Sequence, residues 1–211
     1  MKLKRFVFNM FGENTYILWA SDNNAAIIDP GMMTAYENEE IYNFIIDNNL
    51  HLTHLINTHM HVDHVAGDAF IEQTFNLKPE CNIADNYLAD RVRQQAEMFG
   101  IPYSGSDIKI GKNISDGDII HIGEESLIAL QVPGHTKGHI ALYNPTDKFV
   151  ISGDVLFRMS IGRTDLPGGD FGTLISSIEN KLLTLPDDTT VYPGHGDSTT
   201  IGFEKKNNPF L

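Results

Sequence analysis

Four apolar runs in this 211-residue chain end in turns that carry imidazole or carboxylate side chains. LTHLIN runs into THMHVDH, with His59, His61, Asp63 and His64. LIALQV leads to PGHTKGH, with His135. VIS is followed by GDVLF, with Asp154, and TTVYP by GHG, with His195. Loops at strand ends are where a rigid scaffold presents functional groups. If the four strand ends converge, the seven side chains can surround two metal ions.

The pattern between these turns sets the expected fold. LKRFVF, TYILWA and NAAIIDP read as short strands separated by the turn-forming FGEN and SDNN. Thr34 and Glu37 form a capping-box pattern before a helix over residues 34–49. After LTHLINT a helix is expected from Asp63 through Phe75, and another over residues 86–99, with Gly100 at its C-cap and Pro102 just beyond. SDGDIIHIG, SLIALQV, HIALYN and KFVISGD read as successive strands, followed by a helix over residues 170–185 capped by Asp170, and a last strand TTVYP. Each half repeats strands and then a helix, without a linker. Residues 1–211 are therefore read as a single domain of two packed sheets with helices on both outer faces.

The ligand types narrow the metal. Imidazoles with a minority of carboxylates suit zinc, and iron and manganese also fit; the lack of thiolates disfavours copper(I) and iron–sulfur clusters. In an extended loop His59 and His61 project to the same side, and the turn into the next helix swings Asp63 and His64 toward a second position. His51, His54 and His121 read as ordinary surface or core histidines. His139 reads as a hydrogen-bonding neighbour of the ligands, and Asp29 as a brace or a simple turn residue.

Fifteen basic residues against 28 acidic ones give a net charge of −13, and there is no Lys/Arg block, so nucleic acid and anionic membranes are poor partners. Cys81 is the single cysteine, which excludes an internal disulfide and reads as a small buried hydrophobe. The early apolar run is interrupted by Asn9, Gly12, Glu13 and Asn14, so it reads as strand and turn rather than a signal peptide. A cytoplasmic location is expected.

The ordered set GENTYIL, IIDPG, THMHVDH, PGHTKGH, SGDVLF and YPGHG resembles the metallo-β-lactamase superfamily, and within it the glyoxalase II (hydroxyacylglutathione hydrolase) branch, over nearly the whole chain. The resemblance implies an α/β fold, the four-layer αββα sandwich. It assigns His59, His61 and His135 to one metal and Asp63, His64 and His195 to the other, with Asp154 bridging. Asp63 and Asp154 are then the carboxylates of the catalytic centre. It also implies two zinc ions per chain and cleavage of a small-molecule thioester, such as S-lactoylglutathione, by a bridging hydroxide.

Departures from the family pattern choose among branches. β-Lactamases of this fold are exported and often carry Cys at the position of Asp154, and flavodiiron members resemble H-x-E-x-D-H where this chain has His61. Glyoxalase II proteins carry an added C-terminal helical region; TIGFEKKNNPFL leaves room only for a short helix. Arg163 is the candidate for the family's glutathione-contacting basic residue, but Asp165 stands near its tyrosine, and Gly196 and Asp197 follow the last His. Arg158 and Arg163 are the candidates to neutralise a substrate carboxylate. The chain looks like the compact glyoxalase-II-like hydrolases, whose loop is similar to GRTDLPGGD. Two alternatives stay open on the same residues: an iron-dependent persulfide dioxygenase and a lactone hydrolase.

Overall fold

In the computed structural model, which describes residues 1–101, 103 and 105–211, the first sheet contains β1 (Lys2–Phe8), β2 (Glu13–Trp19), β3 (Asn24–Ile28), β4 (His51–Ile56), β5 (Pro79–Cys81) and β6 (Lys112–Asn113), in that order. β1 to β3 form an antiparallel meander, and β3 to β6 run parallel. Parallel neighbours require crossovers. α1 (Ala35–Asp47) supplies the first, and its expected capping box between Thr34 and Glu37 is formed. The others contain α2 (Val62–Val65), α3 (Asp68–Phe75), α4 (Asn86–Ala89) and α5 (Val92–Phe99).

The second sheet contains β7 (Ile119–Ile122), β8 (Glu125–Gln131), β9 (Ile140–Asn144) and β10 (Phe149–Gly153). After a small ribbon of β11 (Leu156–Phe157) and β12 (Ser160–Ile161) come α6 (Phe171–Ser177), β13 (Thr190–Pro193), β14 (Thr199–Thr200) and α7 (Ile201–Asn207). The order across the sheet is β14-β13-β10-β9-β8-β7.

Period-two alternation builds the layers. Tyr16 and Leu18 of β2 point into the core between the sheets, where Ile56, Leu127, Leu142 and Ile151 meet them. Ile17 points to the opposite face, against Ile41 and Ile45 of α1 and Ile71 of α3. Val150 and Val191 likewise face Leu174 of α6 and Ile201 of α7. The result is the expected α/β four-layer αββα sandwich. Each sheet is buried on both faces, so a one-residue slip in β2 would swap Ile17 with its neighbours between two cores, which pins the register.

The helices are more broken than their apolar spacing predicts. The expected helix over 63–75 is interrupted at Gly67, whose N–H donates to the Pro30 carbonyl and where a Cβ would lie 2.7 Å from the Met32 side chain. That over 86–99 is interrupted at Asp90 and Arg91, next to an Ala89 carbonyl that accepts from Ile108 N–H. Gly100 closes it in a left-handed conformation (φ 66°), and Pro102 lies outside the described residues. The helix expected over 170–185 is α-helical only through Ser177 and continues as one π turn, Ile178–Leu182. Cys81 is buried, as expected of a small hydrophobe. Among the described residues no helix is long and apolar enough to cross a membrane.

Candidate metal centre

The four ligand-bearing turns meet because β4 in one sheet and β8, β10 and β13 in the other end at the same edge of the sandwich. Backbone bonds stitch the two sheets there: Ile140 N–H donates to Thr58 O, and Asn14 N–H to Gly194 O. Asn14 reinforces the seam by donating its side-chain amide to Pro193 O and Gly196 O. Beyond β4, His61 is the extended N-cap of α2, so Asp63 and His64 fall in the first helical turn and turn back toward the loop.

Two clusters result. His59 Nε2 lies 3.0 Å from His61 Nδ1, and His135 Nε2 lies 2.9 Å from the same atom. In the other cluster His64 Nε2 is 3.3 Å from His195 Nε2, which is 3.3 Å from an Asp63 oxygen. Within each trio the ligand atoms lie within 4.8 Å of one another. Asp154 stands between them, its oxygens 3.4 Å from His64 Nε2, 3.5 Å from His195 Nε2 and 3.7 Å from His135 Nε2. The structure thus brings together all seven side chains picked from the sequence.

Proton placement shows why this set suits cations. His135 Nδ1 donates to Arg163 O at 2.7 Å, His195 Nδ1 to Phe11 O at 3.1 Å, and His64 Nδ1 to Asp29 at 3.1 Å. Thr58 Oγ1 donates to Asp29 and accepts from His59 Nδ1. With Nδ1 carrying a proton on four rings, each Nε2 faces the centre, and His59 and His135, which burial holds neutral, turn a lone pair there. These two lone pairs converge on His61 Nδ1, and one proton cannot bridge both. Tetrahedral nitrogens at the usual zinc distance of about 2.0–2.1 Å are about 3.3 Å apart, within a few tenths of the separations here. The residues therefore fit metal ions.

Electrostatics agree. Burial first, and neighbouring imidazoles second, push His59 well below its ordinary pKa and His61 down to about 3, leaving neutral rings as metal binding requires. Burial pulls His64 and His195 down, but Asp154 and Asp63 outweigh it and hold both above their ordinary pKa, while these rings keep the Asp154 carboxyl ionised against its own burial; a metal ion would displace the proton from each of these two Nε2 atoms. Asp154 Oδ1 is buried without a hydrogen-bond partner among the described residues, which leaves it free to bridge.

Asp29 is the brace for both clusters, through Thr58 to His59 and directly to His64. It is buried and left-handed (φ 50°), a conformation that Asp tolerates better than most residues. Such partners set tautomers, and losing one costs roughly 10- to 100-fold in metal affinity. Asp29→Ala is therefore expected to weaken metal binding by about that factor, with both ions affected. Competition against a chromogenic chelator measures it; wild-type affinity in the variant would refute the role.

His139 acts as the expected neighbour of the ligands: its Nε2 accepts the Asp154 N–H at 3.0 Å, and its ring stacks on His59. His51 and His121 are exposed, and His54 pairs with Glu80 at 2.6 Å, away from the centre. Arg163 lines the cleft in front of the metals, but its guanidinium is held in a two-bond pair with Asp165, at 2.7 and 2.8 Å. Arg158 does not line that cleft. Its guanidinium lies over the Phe203 ring, 5.3 Å from the centroid, so as a substrate-binding candidate it is not brought to the site.

Three supporting residues escaped the reading of the sequence as functional positions. Glu13 is fully buried 4.0 Å from His64 Nδ1, with its carboxyl pushed well above the usual range by burial. Asn14 seals the seam. Asp85, pushed up to about 6 by burial, accepts from Thr136 Oγ1 and Gly138 N–H at 2.7 Å and so fixes the loop of His135. An acid opening an otherwise apolar strand was the available signal for Glu13. Asp85 had none, because its partners lie 51 and 53 residues away.

Comparison with known proteins agrees with this geometry. Residues 9–195 match the family model of the metallo-beta-lactamase superfamily. The chain is 39% identical to "Hydroxyacylglutathione hydrolase GloC" of Haemophilus influenzae, over 100% of this chain and 98% of that protein. Among solved structures it is similar to BLEG-1 B3 metallo-beta-lactamase (TM-score 0.90, 31% identity, 100% and 99% of the two chains). It is also similar to TTHA1623 in a di-iron-bound form (TM-score 0.89, 33% identity, 99% and 100%). With the αββα sandwich and the His/Asp cluster at the shared edge of its sheets, these matches make the chain a metallo-hydrolase, and it belongs to the metallo-β-lactamase superfamily.

Proposed function

We propose that the protein is a thioester hydrolase of the glyoxalase II type that acts on a small substrate such as S-lactoylglutathione. The observation that carries this is the convergence of four oriented Nε2 atoms, His61 Nδ1 and the Asp63 and Asp154 carboxylates into two adjoining ligand sets. His59, His61 and His135 would hold one ion, Asp63, His64 and His195 the other, and Asp154 both. Two zinc ions there, or iron or manganese, would supply Lewis acidity and a water deprotonated near neutral pH, because coordination lowers its pKa to about 7.

The chain's own residues shape the rest. A cleft of about 380 Å³ opens in front of the ligands, with Phe11, Phe157 and Ile161 in its walls. These apolar walls exclude water and hold the thioester, while Arg163, already paired with Asp165, offers a partly neutralised charge at the entrance. In the overall reaction a water oxygen bonds to the acyl carbon, the carbon–sulfur bond breaks, and acid and thiol leave. The Haemophilus relative's name supports the substrate class, and the single buried Cys81 is consistent with the cytoplasm as the compartment.

The test is hydrolysis of S-lactoylglutathione by zinc-supplemented protein, with His59→Ala beside it. Turnover that the variant loses is the expected result. A protein that holds two metal ions per chain yet leaves this substrate and other thioesters intact overturns the reading. Iron at one per chain with oxygen consumption would favour the dioxygenase instead, and turnover of lactones alone the lactonase.

A further inference from the structure

Beside the main cleft lies a second, smaller space of about 110 Å³, between α4–α5 on one side and the loop of Leu166 and Pro167 on the other. It shares His61, Phe99 and Leu166 with the cleft, so the two spaces adjoin across the His61 ring. His61 is the one proposed ligand that lines both. With its Nδ1 directed at the metal, its Nε2 must carry the proton, and that buried atom has no hydrogen-bond partner among the described residues.

The slot is preformed. The Tyr87 hydroxyl donates to Pro167 O at 3.0 Å and ties α4 to the opposite loop; a Cβ on Gly168 would meet that hydroxyl at 1.9 Å. Gln95 is buried in the floor, donating to Met60 O and Leu88 O and accepting from Val62 N–H. Leu88, Met98 and Phe99 make the walls apolar, and Arg91 stands among them. Among the described residues the arginine–carboxylate pairs are Arg5 with Asp197 and Arg163 with Asp165, so the Arg91 charge is uncommitted. In a protein of net charge −13 this exposed, unpaired arginine at the rim of a partly open apolar slot is a candidate anion partner.

The geometry points to this slot as the acyl-side specificity pocket, built for a short acyl group that ends in a carboxylate held by Arg91. The assignment rests on the thioesterase reading of the adjoining centre and adds the substrate class to it. Size decides which end goes where. The cleft of about 380 Å³ accommodates a thiol carrier, whereas about 110 Å³ admits only a short chain. The aliphatic part of such a chain would lie along Leu88 and Phe99.

A matched pair of thioesters on one thiol, S-succinyl- and S-butyryl-N-acetylcysteamine, tests this with zinc-loaded protein, because the two differ by a carboxylate in place of a methyl. The wild type should favour the succinyl ester by about tenfold or more in kcat/KM, as expected for one charge-assisted contact. In Arg91→Gln that ratio should fall at least about tenfold. Independently of catalysis, calorimetric titration of metal-free protein should show succinate binding more tightly than butyrate, with the difference lost in Arg91→Gln. Equal handling of the two esters, or a preference that survives in Arg91→Gln, overturns the pocket. If neither ester is cleaved but succinate binding depends on Arg91, the pocket stands and the thioesterase reading falls.

Discussion

Asp154→Ala is expected to lower the metal content from two ions per chain to at most one and to remove most turnover, while far-UV circular dichroism stays that of the wild type. Among the described residues Asp154 is the one carboxylate within 4 Å of imidazoles from both clusters, at 3.4 Å from His64 and 3.7 Å from His135. Losing a residue that merely orients a ligand costs roughly 10- to 100-fold. A bridging ligand should cost more, above roughly 100-fold in kcat/KM. The fold should survive because the strand that presents Asp154 is anchored by Val150 and Ile151 in cores on opposite faces, independently of the carboxylate. Elemental analysis and steady-state kinetics on the same preparation decide the matter: normal metal and normal rate would remove Asp154 from the bridging position.

The second large effect is expected at Gly194, which touches no substrate. A Cβ there would lie 2.2 Å from Asp154 Oδ1 and 2.7 Å from His64 Cε1, too close for any packed pair. The backbone cannot retreat, because Gly194 N–H donates to Gly153 O at 2.8 Å and its carbonyl accepts from Asn14 at 2.7 Å. Gly194→Ala must therefore displace the ligands themselves. Overpacking of this kind costs about 1–3 kcal/mol, a visible loss of thermal stability, and the displaced Asp154 and His64 should lower occupancy of the Asp63–His64–His195 cluster before the other. Thermal denaturation and metal analysis of the variant measure both; wild-type values for the two would mean that the seam between the sheets is softer than its hydrogen bonds indicate.

These expectations differ in what the sequence alone could have said. The position of Asp154 after an apolar strand marks it as a ligand candidate, and the alternation in TYILWA and HIALYN is enough to predict buried strands. The breaks at Gly67 and Asp90 are invisible to the same reasoning, since the spacing of apolar residues continues across them and the cause is a carbonyl of Pro30 or a contact from Ile108. β5, β6 and β14 are two or three residues long, too short for any period to register. Glu13 and Asp85 belong to the same group, because their importance comes from partners distant in the chain.

The sequence by itself determined the strand-and-helix alternation, the ligand chemistry at four strand ends and the acidic, cysteine-poor character of the chain, all of which are properties of residues and their near neighbours. The tertiary structure alone decided which imidazoles share a cluster, which nitrogen of each carries its proton, that Arg158 turns to Phe203 and that Arg91 stands at the rim of an apolar slot. The physical reason is that a tautomer or a pocket is set by groups far apart in sequence. His64 owes its Nδ1–H direction to Asp29, 35 residues away, and His195 to Phe11, 184 residues away. Those pairs exist only once the two sheets have closed on each other.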